Sequence, residues 1–176
     1  MIQEADTAHS ILPKVLAPEC VTCSPRKAMH MAERLQAPLF IESKIYADDR
    51  GWSLMNQLTG TLSEEGQINF SVQYPNVVKA WHRHSYQTDF WICVLGHLKA
   101  GIYRESDNQR WQLVLGEKRP GTLIIPPGLW HGATAIGGKE AGLLYYVSRA
   151  YNAHSPDEQR REAYSVPEFS WSPEDR

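Results

Sequence analysis

At 176 residues, 42% of them hydrophobic, the chain is long enough for one domain with a sizeable core and short appendages. A formal charge of −2 leaves no basic excess for nucleic acid, and no apolar run approaches the ~20 residues that a membrane-spanning helix needs. Three cysteines make no disulfide framework, and the opening MIQEADTAHS lacks the apolar stretch of a signal peptide, so a cytoplasmic protein acting on a small molecule is expected.

Three units are expected: an N-terminal arm with a short helix (1–38), a barrel (39–153) and a helical tail (154–176). Residues 1–24 read as irregular, with Pro13, Pro18 and Pro25 as breakers. Cys20 and Cys23 form a Cys-x-x-Cys, but no second pair completes a zinc site; two ordinary thiols is the favoured reading. Residues 26–36 predict a helix capped by Ser24 with Pro25 at its first position; Ala28, Met31, Ala32 and Leu35 fall on one face.

From Leu39 the period changes to two. Strands are predicted at 39–46, 52–58, 66–73, 77–84, 89–96, 97–104, 110–115, 122–125, 132–136 and 142–148, separated by turn signals such as Asp48-Asp49-Arg50-Gly51 and Tyr74-Pro75-Asn76. Ten short strands with no long helices between them predict an antiparallel sandwich or barrel. Along 66–73 the alternation is strict, and Ile68, Phe70 and Val72 are expected to face the core. Gln67, Asn69, Ser71 and Gln73 make the opposite, polar row, which meets either solvent or the inside of a barrel that holds a sugar. In the tail, Ser155-Pro156-Asp157-Glu158 predicts a capped helix to about Tyr164, and Phe169 and Trp171 are expected to fold back on the barrel.

The chemistry concentrates in two segments. His82 and His84 are two residues apart on a strand, so both imidazoles point to one face. Asp89 lies past a polar turn and can return beside them. His131 follows a Pro126-Pro127-Gly128 turn whose residues fix the backbone. Three imidazoles and a carboxylate suit Zn, Fe, Mn, Co or Ni as a divalent ion. Chance placement with hydrogen-bonded or solvated histidines is the alternative. His97 reads as a satisfied strand residue, and His9, His30 and His154 as surface. Trp81, Trp91, Trp130 and Tyr146 flank the ligand segments; packing is their commoner job, and stacking on a sugar the other.

These two segments resemble the paired motifs of the cupin superfamily: His-x-His, four residues, an acid, six residues, Gly96; then Gly121, Pro126-Pro127-Gly128, two residues, His131. The resemblance implies an all-β cupin jelly-roll barrel with metal ligands at His82, His84, Asp89 and His131. Within the RmlC-like cupins, residues 48–153 resemble the dTDP-4-dehydrorhamnose 3,5-epimerases. The echoes are Asp49-Arg50-Gly51, Gln67 to Ser71, Val77 to His82, Ile125 to Gly128 with His131-Gly132, and Tyr145 before Tyr151-Asn152. The region also resembles the cupin tail domain of capsular UDP-sugar reductases and the sugar 3,4-ketoisomerases.

The epimerase resemblance implies proton transfer next to a carbonyl, with His82 as base and Tyr145 as acid, and Arg50 and Lys79 on a diphosphate. The polar row offers Gln67 and Asn69, and the aromatic residues Trp91, as substrate contacts, and jelly-roll cupins in general lead to the expectation of a homodimer. Strand parity sets Lys79 on the face opposite His82, so it reaches a ligand only through a bulge or from a neighbouring subunit. Asp89 stands where the epimerases carry Lys. A carboxylate repels a developing oxyanion, so a metal acting as Lewis acid is expected in its place. A ligating His82 could not also be the base, and the metal is the favoured alternative. Other metal-dependent chemistry, as a dioxygenase or small-acid isomerase, and a non-catalytic binding domain are the competing readings.

Overall fold

A computed structural model describes residues 14–173. The expectations for Pro13 and His9 lie outside the described residues. The elements in order are β1 (Glu19–Cys20), α1 (Pro25–Leu35), β2 (Leu39–Glu42), β3 (Ile45–Asp48), β4 (Gly51–Leu54), β5 (Gln67–Gln73), β6 (Val78–His84), β7 (Asp89–Leu95), β8 (His97–Arg104), β9 (Gln109–Gly116), β10 (Gly121–Ile125), β11 (Trp130–Ala135), β12 (Ala141–Val147) and β13 (Glu158–Arg160). They build two opposed sheets, β1-β2-β10-β7-β12-β5 and β13-β6-β11-β8-β9, with β3-β4 a separate hairpin. All pairings but the short β1–β2 contact are antiparallel between named strands, as expected of a jelly roll.

One end of the space between the sheets is filled. Phe40, Leu98, Ile102, Trp111, Leu113, Leu115, Leu123 and Ile125 belong to one buried cluster there. The other end stays open as the cavity described below. Outside the first sheet, α1 lays Ala28 and Ala32 against Leu39, Phe90, Ile124 and Tyr146. Ser24 caps α1 and Pro25 opens it, as its sequence predicts, although Leu35 is exposed. The second sheet is covered by the tail: Phe169 and Trp171 pack on Trp81 with ring centroids 5.0 and 4.8 Å away, and Trp81 Nε1 donates to Ala163 O.

Three expectations fail here. The tail forms no helix; residues 158–160 pair instead with β6 as β13, because the open edge of β6 offers backbone partners that outweigh a local capping signal. Predicted strands 39–46 and 52–58 are shorter, with β2 and β3 split and β4 ending at Leu54. Strand β5 is turned the other way round: Ile68 and Phe70 are more than half exposed and Val72 is exposed, while Gln67, Asn69, Ser71 and Gln73 line the cavity.

Strand β6 carries a register shift against β11. His131 stands opposite His82 and Ala133 opposite Lys79, so three steps on β6 match two on β11. Lys79 and His82 therefore share the cavity side despite their odd spacing. Gly132 permits the close approach at this step, since a Cβ there would meet Ala80 and lie 2.7 Å from Lys79 O. Gly132→Ala is expected to destabilise the fold by about 1–3 kcal/mol, read as a lower denaturant midpoint with an unchanged m-value.

Candidate active site and metal centre

The β5 polar row opens the site. In register across the first sheet, Asn69 faces Tyr145, Tyr145 faces Trp91, and Trp91 faces Leu123. One row along, Gln67, Val147, Asp89 and Ile125 repeat the arrangement. Side chains in one row of a sheet share a face. So Gln67, Asn69, Tyr145, Trp91 and Asp89 all point between the sheets, where β6 and β11 present His82, His84 and His131. The resulting cavity has a volume of about 860 Å³ and is also lined by Ser71, Lys79, Glu158, Arg160 and Tyr151.

At its floor, His82, His84, Asp89 and His131 each offer a ligand atom, all within 4.8 Å of one another. The His82 and His131 rings are 4.2 Å apart between centroids, and His84 is 5.7 Å from each. Two backbone carbonyls fix two of the rings. His84 Nδ1 donates to Asp157 O at 2.8 Å, and His131 Nδ1 donates to Leu129 O at 2.9 Å. A carbonyl only accepts, so each ring carries its proton on Nδ1 and leaves Nε2 to the cluster. His82 has no such partner among the described residues.

Asp89 is 3% exposed. Its Oδ1 accepts from Gln87 Nε2 at 2.6 Å and its Oδ2 from Trp91 Nε1 at 3.2 Å. His131 Nε2 lies 3.4 Å from Oδ2, yet it is buried without a hydrogen-bond partner. Burial alone would raise the Asp89 carboxyl; the adjacent His131, with His84 and Gln87, outweighs it and holds the group at about 2. Burial is also the main force that pushes His82 well below its ordinary 6.5, helped by His131, His84 and Arg160 and opposed by Asp89. Tyr145 is raised, first by burial and then by the Asp89 and Glu158 charges, so its phenol stays protonated.

Of the site residues expected from the sequence, His82, His84, Asp89, Tyr145, Gln67, Asn69, Lys79 and Trp91 line this cavity, His131 joins them through the cluster, and Arg50 does not. Arg50 sits at the turn of the β3–β4 hairpin, paired with Asp48 and outside the cavity lining, because the hairpin leaves the barrel. Trp81, Trp130 and Tyr146 are packing residues, with Tyr146 bonded to Ser63. His97 Nε2 accepts from Lys118 N, His30 and His154 are exposed, and Cys20, Cys23 and Cys93 are free thiols. Sequence reasoning missed Asp157, Glu158 and Arg160. They reach the site through β13, in a segment whose local signal is a helix cap.

The family model of the polysaccharide biosynthesis C-terminal domain matches residues 46–159. The chain is 34% identical over 122 residues to the spore coat polysaccharide biosynthesis protein SpsL of Bacillus subtilis, covering 65% of this chain and 81% of that protein. It is 37% identical over 97 residues to the "Probable low-salt glycan biosynthesis epimerase Agl13" of Haloferax volcanii, covering 52% of this chain and 62% of that protein. Among solved structures, a dTDP sugar isomerase from Desulfovibrio desulfuricans superposes with a TM-score of 0.68 at 25% identity, over 78% of this chain and 92% of that one. The 3,5-epimerase RmlC of Legionella pneumophila, in complex with dTDP-4-keto-L-rhamnose, superposes with a TM-score of 0.60 at 21% identity, over 74% and 78%. The fold is the RmlC-like cupin jelly roll.

The depressed His82 sets a pH dependence. Below about 6.5 the unfolded chain takes up a proton there that the folded chain refuses, so folding stability falls with pH. Asp89 adds a loss as pH falls from the ordinary carboxylate range towards about 2. Protein prepared free of metal ions is expected to lose up to ~1.4 kcal/mol per pH unit below 6.5 from His82, and His82→Gln to flatten that slope in denaturant melts between pH 7.5 and 5.

Proposed function

The chain belongs to the polysaccharide biosynthesis C-terminal domain family, and on that premise we propose that it is an epimerase or isomerase of a nucleotide-linked keto sugar. The observation that carries this reading is the cavity itself: a polar-lined chamber with a protonated Tyr145 on one sheet and a neutral His82 on the other. Proton transfer next to a carbonyl needs a donor and an acceptor on the faces of one planar centre. Gln67, Asn69 and Ser71 provide hydrogen-bonding partners for sugar hydroxyls, and Trp91 an apolar wall.

The cluster fits a divalent transition ion, Zn, Fe, Mn, Co or Ni. His131 Nε2 and Asp89 Oδ2 face each other with lone pairs, buried and 3.4 Å apart, and need a positive charge between them. A proton would satisfy those two groups; an ion would satisfy His82 and His84 as well. When bound it would supply Lewis-acid polarisation of the substrate carbonyl. A ligating His82 has no lone pair left for a proton, so Tyr145 then carries proton transfer. The second reading, His82 as free base, is favoured by the absence of an orienting hydrogen bond on that ring.

At the cavity mouth, Arg160 stands opposite His82 in the β13–β6 register. Its Nε is held by Glu158 at 2.6 Å, while its two terminal nitrogens have no partner among the described residues and can take a phosphate. Lys79 Nζ is held by Ser71 Oγ and Val72 O on the opposite wall. A homodimer completes the reading. The outward row Ile68, Phe70, Val72 and the hairpin with Tyr46 and Trp52 are apolar surfaces exposed among the described residues, and an isolated hairpin is marginal in water. Arg50 reaches a ligand only if that hairpin crosses to a second copy.

A dTDP-linked or UDP-linked 4-keto sugar incubated with the protein in D₂O is expected to incorporate deuterium next to the carbonyl, followed by NMR. Tyr145→Phe should slow this by about 10²–10⁴-fold. Elemental analysis should find about one transition metal per chain. Exchange that survives complete chelation would overturn the metal reading in favour of the His82 base. Arg160→Gln is expected to raise KM about tenfold or more with kcat little changed, since a charged phosphate contact contributes about 1.5–3 kcal/mol of uniform binding.

A further inference from the structure

The tail does more at the site than close a wall. His84 points its Nε2 into the cluster because its Nδ1 proton is committed to Asp157 O at 2.8 Å. Asp157 is itself held by the turn that follows His84. Its Oδ1 accepts from Ser85 N at 2.9 Å and its Oδ2 from Tyr86 N at 2.9 Å. The next residue, Glu158, then pairs with His84 in the β13–β6 ladder. One residue from a segment 73 positions away thus grips the strand end on both sides of the imidazole.

We propose that Asp157 is a positioning residue for the four-residue cluster: its carboxylate anchors the Ser85–Tyr86 turn so that its carbonyl holds the His84 ring in the Nδ1–H form, with Nε2 bare towards His82, Asp89 and His131. The consequence for metal binding rests on the metal reading above; the orientation of His84 does not. A histidine whose outer nitrogen is held by a carbonyl presents one lone pair in one direction. Freed of that partner, the ring exchanges tautomers and rotates, and the lone pair points at the cluster only part of the time. His131 has a local clamp of the same kind, from Leu129 two residues away. His84 has no local equivalent and depends on a distant segment. That difference makes the tail a determinant of the site.

Asp157→Ala removes both amide acceptors, and Asp157→Asn keeps one oxygen acceptor. The first readout uses metal-free protein: long-range ¹H–¹⁵N spectra distinguish a protonated from a bare ring nitrogen. Wild type should show His84 as a single Nδ1–H form, Asp157→Ala a mixture of both forms, and Asp157→Asn a smaller but measurable share of the second form. The second readout is the affinity for Zn²⁺ and Co²⁺, expected to fall about 10–100-fold in Asp157→Ala and by less in Asp157→Asn. Circular dichroism and thermal melts check that both variants fold; if Asp157→Ala does not, the reduced effect in Asp157→Asn is read alone. A single unchanged His84 form in the folded variants overturns the proposal, whatever the metal affinity. If wild type binds neither ion while the tautomer shifts as expected, the positioning role stands and the metal reading fails.

Discussion

The site is organised by one unfavourable contact. A carboxylate oxygen of Asp89 and the Nε2 of His131 face each other at 3.4 Å in a place almost closed to water. Neither atom can turn away. Asp89 is pinned through both oxygens by Gln87 and Trp91, and the His131 ring is pinned by Leu129 O. Two lone pairs held together without solvent cost several kcal/mol unless a positive charge lies between them. The fold supplies the rigidity that keeps this arrangement: β11 hydrogen-bonds on both sides, to β6 and β8, and β7 lies between β10 and β12. A cluster on edge strands could relax; this one sits on central strands and cannot.

Strand β5 lacks that two-sided support and bonds β12 alone. It is the outer strand of its sheet, so one of its faces meets the cavity and the other meets whatever lies outside. Turning Gln67, Asn69, Ser71 and Gln73 inward is tolerable because they face an open, polar-lined cavity. Gln73, the one fully buried member, is satisfied by Val77 O and Ala133 O. The apolar Ile68 and Phe70 are left outside, which is a surface that favours association.

Much of this was legible in the sequence. The turn residues and period-two runs gave most of the strands, and strand parity gave the His82–His84 pair, because each rests on local geometry; that Asp89 and His131 join the pair came from the resemblance to the cupin motifs. What was lost depended on distant partners. Alternation along 66–73 separates two faces but does not say which is inside. Strand parity alone sets Lys79 on the far face; the bulge that the sequence reading allowed for is what brings it to the cavity, and that shift against β11 depends on Gly132 lying under Ala80. The signal at 155–158 was a sound helix cap overridden by an open sheet edge, and it concealed Asp157 and Arg160. Arg50 was assigned by its motif, and the hairpin that carries it leaves the barrel.

Charge then decides between the two accounts of the chemistry. If no imidazole of the cluster carries a second proton, the ionised Asp89 gives the cavity floor one negative charge, and an enolate forming above it is repelled. A proton on the cluster brings that floor to neutrality; a divalent ion brings it to one positive charge, in a low-dielectric setting where such a difference is large. Lys79 and Arg160 do not replace it. Lys79 is tied to Ser71 and Val72, and Arg160 is partly offset by Glu158 at the mouth. A carboxylate at position 89 therefore suits stabilisation of a developing oxyanion only when the cluster is loaded. Tyr145 remains protonated under the negative field of Asp89 and Glu158, which keeps its proton available for delivery. In the function we propose, an acid at the position where the epimerases this chain resembles carry a cation moves the burden of charge stabilisation from a side chain to whatever the four clustered residues would hold.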